Sequence, residues 1–305
     1  MQLQNEFKQF LAENPKWSLT KVAKKIGKSV ATLSQWKSGK YAGDVSAINK
    51  SIEAFLEGQA QVGTIPREDF EFVETEIMRQ IKKAAQMCEF GNQMRIMVGR
   101  SGIGKTTGLR KYVEQKSGVI LVEAYQGITK KKFVEKLARA AGYAPSTSFA
   151  ETLEDLFTNL KDSERLIIID EAEHLPVAAL DAVRRIHDFT GCGVLLIGVG
   201  RLLNLLSMNQ KDYGYIYNRC GLPVRLPLVS EDDCAKLVST VMSCNGYAKD
   251  FHRACKGVAR DLKTIVFESL RIAEESGIDA EKDHASFRTV IEKITANLNR
   301  REGKE

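Results

Sequence analysis

The stretch GRSGIGKTT, starting at Gly99, constrains the fold more than any other part of this 305-residue chain. It follows the short apolar run MRIMV and leads into the helix-compatible TGLRKYVEQK, and residues 99–106 satisfy the spacing G-x-x-x-x-G-K-[ST] in full. A loop so poor in side chains lets backbone N–H groups converge on phosphate oxygens, and the helix behind it adds the positive end of its dipole. Gly99, Arg100, Ser101, Gly102, Ile103, Gly104, Lys105, Thr106 and Thr107 are therefore candidate nucleotide-binding residues. Lys105 is expected to reach the β- and γ-phosphates of ATP, and the Thr106 hydroxyl to ligate Mg2+.

A second segment supports this reading. ERLIIIDEAEHL, residues 164–175, is a continuous apolar run ending in acids, the form of a strand buried on both faces of a parallel sheet. Asp170 at its end would hold Mg2+ through water, and Glu171 would orient or deprotonate an attacking water. VILVEAY and CGVLLIGVG read as further strands, separated by helical patterns such as KKFVEKLARAAG. Strand–helix alternation predicts an α/β fold: a parallel sheet with helices on both faces and its ligand at the carboxyl ends of the strands.

The remaining sequence divides around this core. Between residues 5 and 57 there are nine Lys against five Asp and Glu. Within SLTKVAKKIGKSVATLSQWKSGKY the apolar Leu19, Val22, Ala23 and Ile26 recur at helical spacing, Gly27 breaks the helix and Ser29 can cap a second one. Val30, Leu33 and Trp36 are expected on the buried side of that second helix. The layout is that of a helix-turn-helix, whose second helix enters the DNA major groove. Lys28, Ser29, Thr32, Gln35, Lys37 and Lys40, with Ala31 and Ser34, are the groove or phosphate contacts this implies. The expected organisation is a helix-turn-helix domain over residues 1–58, a linker over 59–70, an ATPase core over 71–228 and a helical domain over 229–305. Helical patterns in that last part are DDCAKLVSTVMSCNGY, a continuous DFHRACKGVARDLKTIVFESLRIAEESG, and HASFRTVIEKITANLNRR. Arg300, Arg301 and Lys304 form a basic tail or a frayed terminus.

Composition excludes several classes. Six cysteines without a C-x-x-C pair and four histidines without ligand spacing argue against a structural zinc site and for free, mostly buried thiols. No window approaches the ~18 apolar residues of a membrane span, and no leader pattern opens the chain, so a cytoplasmic protein is expected. The net charge of +6 is mild and only hints at a polyanionic partner.

Taken in order, these parts resemble the AAA+ ATPases, and within them the phage Mu B transposition proteins and related transposon target-selecting ATPases. The resemblance rests on the helix-turn-helix with a trailing KYAGD, GRSGIGKT, LIIIDEAEHL, LLIGVGRL, YIYNRCG and GVARDLKTIVFESLRIA. It implies that Arg219 is an arginine finger reaching a neighbouring subunit's γ-phosphate, with Arg225 and Arg201 as competitors. It implies that Arg260 is a sensor arginine of a C-terminal helical lid. It also implies a filament of this chain on double-stranded DNA, with Lys130, Lys131 and Lys132, joined by Tyr125 and Thr129, lining the bore. Transposase of the same element would be a further partner, and the host bacterial cytoplasm the setting. A helix-turn-helix regulator with an ATPase switch, or a helicase loader, would share many of these parts. One departure stands out: where the family has a polar residue, usually Asn, to position water, this chain has Gly198-Val199-Gly200, which implies slow turnover or a substitute from elsewhere.

Overall fold

Caps and short apolar faces build the first of two units in the computed structural model, which describes residues 2–14, 17–64, 69–208, 210–243 and 245–302. The units are Met1–Glu68 and Asp69–Glu305. Four helices form the first: α1 (Gln2–Glu13), α2 (Leu19–Lys25), α3 (Val30–Lys37) and α4 (Val45–Thr64). Ser18 and Ser29 cap α2 and α3, their hydroxyls accepting from the backbone N–H of Lys21 and Thr32, and Gly27 takes the turn between them at φ +67°. Phe7, Val22, Ala23, Leu33, Trp36, Ile48 and Ile52 make the core. Trp36 meets Phe7 edge-on at 5.7 Å and donates its indole N–H to Asn49 Oδ1 at 2.8 Å, so it is a core residue with a satisfied polar tip.

Two expectations change here. Val30 is 41% exposed: as the first residue of α3 it sits at the helix end, and the core is centred a turn further on. The first half of the expected linker over 59–70 is helical, because α4 runs on to Thr64. Gln and Ala at residues 59–61 favour helix, and the glycines at 58 and 63 cost only about 1 kcal/mol each. Residues 65–68 lie outside the described residues.

The second unit carries, in chain order, α5 (Glu76–Phe90), β1 (Met94–Val98), α6 (Lys105–Gln115), β2 (Val119–Glu123), α7 (Lys130–Ala141), α8 (Phe149–Leu160), β3 (Leu166–Asp170), α9 (Val177–Thr190), β4 (Gly193–Gly198), α10 (Gly200–Met208), α11 (Gln210–Tyr217) and β5 (Val224–Arg225). It ends in α12 (Glu231–Val238), α13 (Ala248–Cys255), α14 (Ala259–Glu275) and α15 (His284–Glu302). The strands form one sheet in the order β2-β3-β4-β1-β5, and every pairing is parallel. Strand residues alternate between two cores. Ile96, Val98, Ile167, Ile169, Val194 and Leu196 face α7 to α11; Met97, Leu166, Ile168, Leu195 and Ile197 face α5, α6 and α12 to α15. The near-continuous apolar strands follow from this two-sided burial.

The single helical pattern expected from Asp250 onward is broken into α13 and α14. Lys256 (φ +50°) and Gly257 (φ +73°) turn the chain there, and Gly257 C=O accepts from Val229 N–H at 2.9 Å. A Cβ on Gly257 would meet Leu228 Cβ at 2.7 Å, so the close approach requires glycine. The pattern around residues 231–247 is likewise shorter than expected, its helix ending at Val238. Cys88, Cys192, Cys234 and Cys255 are buried free thiols and Cys220 is half-buried; Cys244 is outside the described residues. Among the described residues no helix is long and apolar enough to cross a membrane.

Gly193 opens β4 against the end of α5. A Cβ there would lie 2.3 Å from the Cys88 carbonyl oxygen, a backbone atom that cannot yield locally. Gly193→Ala is expected to destabilise this unit by about 1–3 kcal/mol, read as a lower denaturant midpoint. Gly200→Ala, where a Cβ meets nothing within 4 Å, is the control and should leave the midpoint unchanged or raised.

Candidate nucleotide-binding site

The loop between β1 and α6 is shaped by two left-handed glycines, Gly102 (φ +78°) and Gly104 (φ +103°), the latter preceding the first residue of α6. Gly102 is also closely approached: a Cβ would meet Val258 at 3.0 Å and Arg260 at 3.2 Å, and its carbonyl accepts from Arg260 N–H at 2.9 Å. Lys105, first residue of α6, donates its ammonium to the carbonyls of Gly99 at 2.8 Å and Arg100 at 2.9 Å. Burial pushes its pKa down, opposed by the charges of Asp170, then Glu173 and Glu171. Thr106 donates its hydroxyl to Asp170 Oδ2 at 2.7 Å.

Asp170, the last residue of β3, is 2% exposed. Burial raises its pKa, against the hydrogen bonds from Thr106 and from Glu171 N–H and the charge of Lys105. Glu171 N–H reaches Asp170 Oδ1 at 3.0 Å. Glu171 itself takes left-handed backbone at φ +53°, a conformation costing a non-glycine residue about 1–2 kcal/mol. The kink starts a 3-10 turn at Ala172–His174 and leaves the Glu171 carboxylate at the rim, 3.8 Å from His174 Nε2.

These groups line a cavity of about 490 Å3, shared by Ser101, Gly102, Ile103, Gly104, Thr107, Glu173 and Arg260. Apolar Phe70, Phe72, Val73, Met78, Val229 and Leu237 line it as well, with the charged Asp69, Glu71 and Lys263 among them. The segment carrying Phe70 to Val73 precedes α5 and has no periodicity, so the sequence alone did not mark it. Tertiary contacts hold it: Glu71 N–H donates to Thr240 Oγ1 at 3.3 Å, Asp69 pairs with Lys263 at 3.1 Å, and Phe70 packs on Phe267 at 5.4 Å. Glu76 N–H donates to the buried Asp233 at 2.9 Å, tying α5 to α12. The nearest local signal was Thr75, which caps α5.

Thr106 and Asp170 present two hard oxygens side by side at the mouth of the loop, a donor set that suits Mg2+ completed by phosphate oxygens and water. Among the described residues no group of three or more His, Cys, Asp and Glu is arranged to hold an ion without such help.

Other expected site residues lie apart or are otherwise engaged. Gly99 and Arg100 do not line the cavity; their carbonyls hold Lys105 instead. Arg219 is exposed and pairs with Asp188 at 3.6 Å. Arg225 is exposed on β5, and Arg201 Nη2 lies 3.4 Å from His174 Nδ1. In α7, Lys130 sits over the Phe149 ring at 4.1 Å, Lys131 donates to Thr147 C=O at 3.0 Å, and Lys132 pairs with Glu135 at 3.2 Å. Thr129 caps this helix, accepting from Lys132 N–H, and exposed Tyr125 lies under Lys136 at 5.6 Å. In the first unit Lys28, Gln35 and Lys40 are exposed and Lys37 half-buried. The Ser29 and Thr32 hydroxyls stand 2.8 Å apart within the α3 cap, which occupies two of the groups expected to meet DNA.

Comparison with known proteins agrees with this geometry. Residues 88–206 match the family model described as AAA domain. The Mu-like prophage FluMu DNA transposition protein B of Haemophilus influenzae is 28% identical over 200 residues, 65% of this chain and 69% of that protein. The ATP-dependent target DNA activator B of Escherichia phage Mu is 24% identical over 240 residues, 77% of this chain and 76% of that one. Among solved structures, the Aeropyrum pernix ORC2 protein in its ADP form superposes with a TM-score of 0.54 at 16% identity, covering 72% of this chain and 67% of that chain. Its ADPNP-ADP complexes give 0.53 at 17%, covering 74% and 71%. Sheet order, phosphate loop and the acidic end of β3 are those of an α/β P-loop AAA+ fold, residues 88–206 match an AAA domain, and the chain resembles the Mu-like phage transposition proteins B.

Proposed function

We propose that this protein is an ATP-dependent, largely sequence-tolerant DNA-binding ATPase that assembles on target DNA and delivers it to a transposase in the bacterial host cytoplasm. One observation carries the nucleotide half: the hydroxyl of Thr106 and the carboxylate of Asp170, 2.7 Å apart beside Lys105, at the mouth of a left-handed glycine loop. Apolar Phe70, Phe72 and Leu237 accommodate the base. The loop N–H groups and Lys105 bind the phosphates, and Thr106 and Asp170 hold Mg2+, which when bound neutralises charge on the transferring phosphoryl group. Glu171 orients the attacking water, and Arg260 adds positive charge from the lid side. Arg219 serves a neighbouring copy. Its exposed pairing with Asp188 is of the kind worth about 0–1 kcal/mol, so leaving it for a phosphate costs little.

The DNA half is supported by the relatives named target DNA activator B and by charge placement. Three lysines open α7 with no acid in its first turn, against a helix dipole that disfavours cations there by about 0.3–1 kcal/mol each. Such a row is explained by an anionic partner, and Lys contacts to phosphates give salt-sensitive, sequence-tolerant affinity. The lysines and Gln35 around α3 offer a second basic surface.

Lys105→Ala should abolish ATP-stimulated binding to random duplex in a filter or anisotropy assay, and full binding would sink the switch. Glu171→Gln should slow phosphate release by on the order of 100-fold or more and prolong protein–DNA assemblies seen by electron microscopy. Arg219→Ala should suppress DNA-stimulated hydrolysis while nucleotide affinity of the monomer stays at the wild-type value; wild-type turnover would assign the finger to another arginine. A footprint on one operator, with an affinity ratio over random DNA of about 10³ or more, would favour a regulator instead.

A further inference from the structure

The end of β4 lies between the two halves of the nucleotide site. Gly198 pairs with Val98, the last residue before the phosphate loop, and on its other side β4 pairs with β3, which ends in Asp170. A side chain at Gly198 would therefore stand between the phosphate loop and the acidic end of β3, beside the cavity that Gly198 itself lines. Gly198-Val199-Gly200 offers no polar side chain of its own.

That space is nevertheless filled by a polar group. A Cβ built on Gly198 would fall 2.1 Å from Glu173 Oε2 and 3.1 Å from Glu173 Cδ. Val199 N–H lies 3.4 Å from each Glu173 carboxylate oxygen. The carboxylate thus crosses from the 3-10 turn after β3 to the end of the neighbouring strand and stands in the volume that a residue-198 side chain would take. It lines the same cavity as Lys105, Asp170 and Glu171. Among the acids acting on the Lys105 ammonium it ranks behind Asp170 and ahead of Glu171. A structural duty alone does not account for it, because two shared contacts at 3.4 Å are at the long limit for a hydrogen bond and leave most of the acceptor capacity unused. The glycine is what admits the carboxylate, so Gly198 and Glu173 act as one device.

We infer that Glu173 replaces the polar residue missing from the end of β4 and is the positioning residue for the attacking water, with Glu171 remaining the base. This rests on the ATPase reading of the cavity. A carboxylate accepts hydrogen bonds from water as an amide oxygen does, but it cannot donate to the terminal phosphate and repels it. Turnover held below that of an amide-bearing site is the consequence.

The test is a set of variants assayed for steady-state hydrolysis, for affinity toward a fluorescent ATP analogue and for melting temperature. Glu173→Ala should lower kcat by on the order of 100-fold with analogue affinity within about threefold of wild type. Gly198→Asn alone should also lower kcat, since its Cβ collides with Glu173. The pair Glu173→Ala/Gly198→Asn should recover kcat to within about tenfold of wild type, a rescue that loss of structure does not produce. Glu173→Gln, which supplies an amide, should turn over at or above the wild-type rate. Wild-type kcat in Glu173→Ala, a double variant no faster than Glu173→Ala, or a Glu173→Gln slower than wild type overturns the assignment. Lys105→Ala separates the two levels. Hydrolysis that survives it retracts the ATPase reading and this inference together. Hydrolysis lost in Lys105→Ala but intact in Glu173→Ala retracts only the role of Glu173.

Discussion

The hydrogen bond from Thr106 to Asp170 joins the start of α6, which follows β1, to the end of β3, and in the sheet one strand, β4, stands between β1 and β3. Everything else in the site is arranged around that contact. β1 must pair with β4 for the loop to open beside it, and β4 must be slim at its end for β3's acid to approach the loop. The apolar strands supply the rigidity. Buried on both faces, they hold the strand ends in fixed register, so the groups after them meet without a flexible search. A phosphate-binding loop on an exposed hairpin would have no such support.

Charge inside the site is poised rather than neutralised. Lys105 and Asp170 are both buried, and burial drives each toward its uncharged form. Neither relieves this through a close ion pair: Lys105 is satisfied by two loop carbonyls, and Asp170 by a hydroxyl and a backbone N–H. An anionic ligand would offer Lys105 a stronger partner, and a cation would do so for Asp170, which is how a buried site of this kind can gain differential affinity for a ligand. The strained backbone at Glu171 fits the same pattern, since the kink that costs energy also turns the next carboxylate, Glu173, toward β4.

Surface charge is organised differently. The α7 lysines are held by an aromatic ring, a carbonyl and a carboxylate, and Arg219 by Asp188. These are weak, solvent-exposed restraints. They keep cationic side chains in defined positions without sequestering them, so a phosphate can displace each partner at small cost.

Much of the architecture was legible in the residues because it is written in local chemistry. The glycine loop, the apolar run before Asp170 and the cap at Ser29 each depend on neighbours a few residues away, and their spacing alone identifies strand, loop and helix. Val30 and the break at Lys256 and Gly257 were misread because packing overrides periodicity at helix ends and at close approaches, and the helical stretch up to Thr64 because its glycines were taken as breakers. The cavity-lining segment from Phe70 to Val73 and the reach of Glu173 into the gap at Gly198 were invisible for a stronger reason. Each is made by residues far apart in the chain or on different strands, brought together by sheet order and three-dimensional contacts that no local pattern encodes. The sequence by itself marked Lys105, Thr106, Asp170 and Glu171 as a candidate site, because their spacing depends on neighbours a few residues away. Only the tertiary structure decided which carboxylate stands where a side chain is missing, because that depends on the distance between strand ends, a quantity set by the whole sheet.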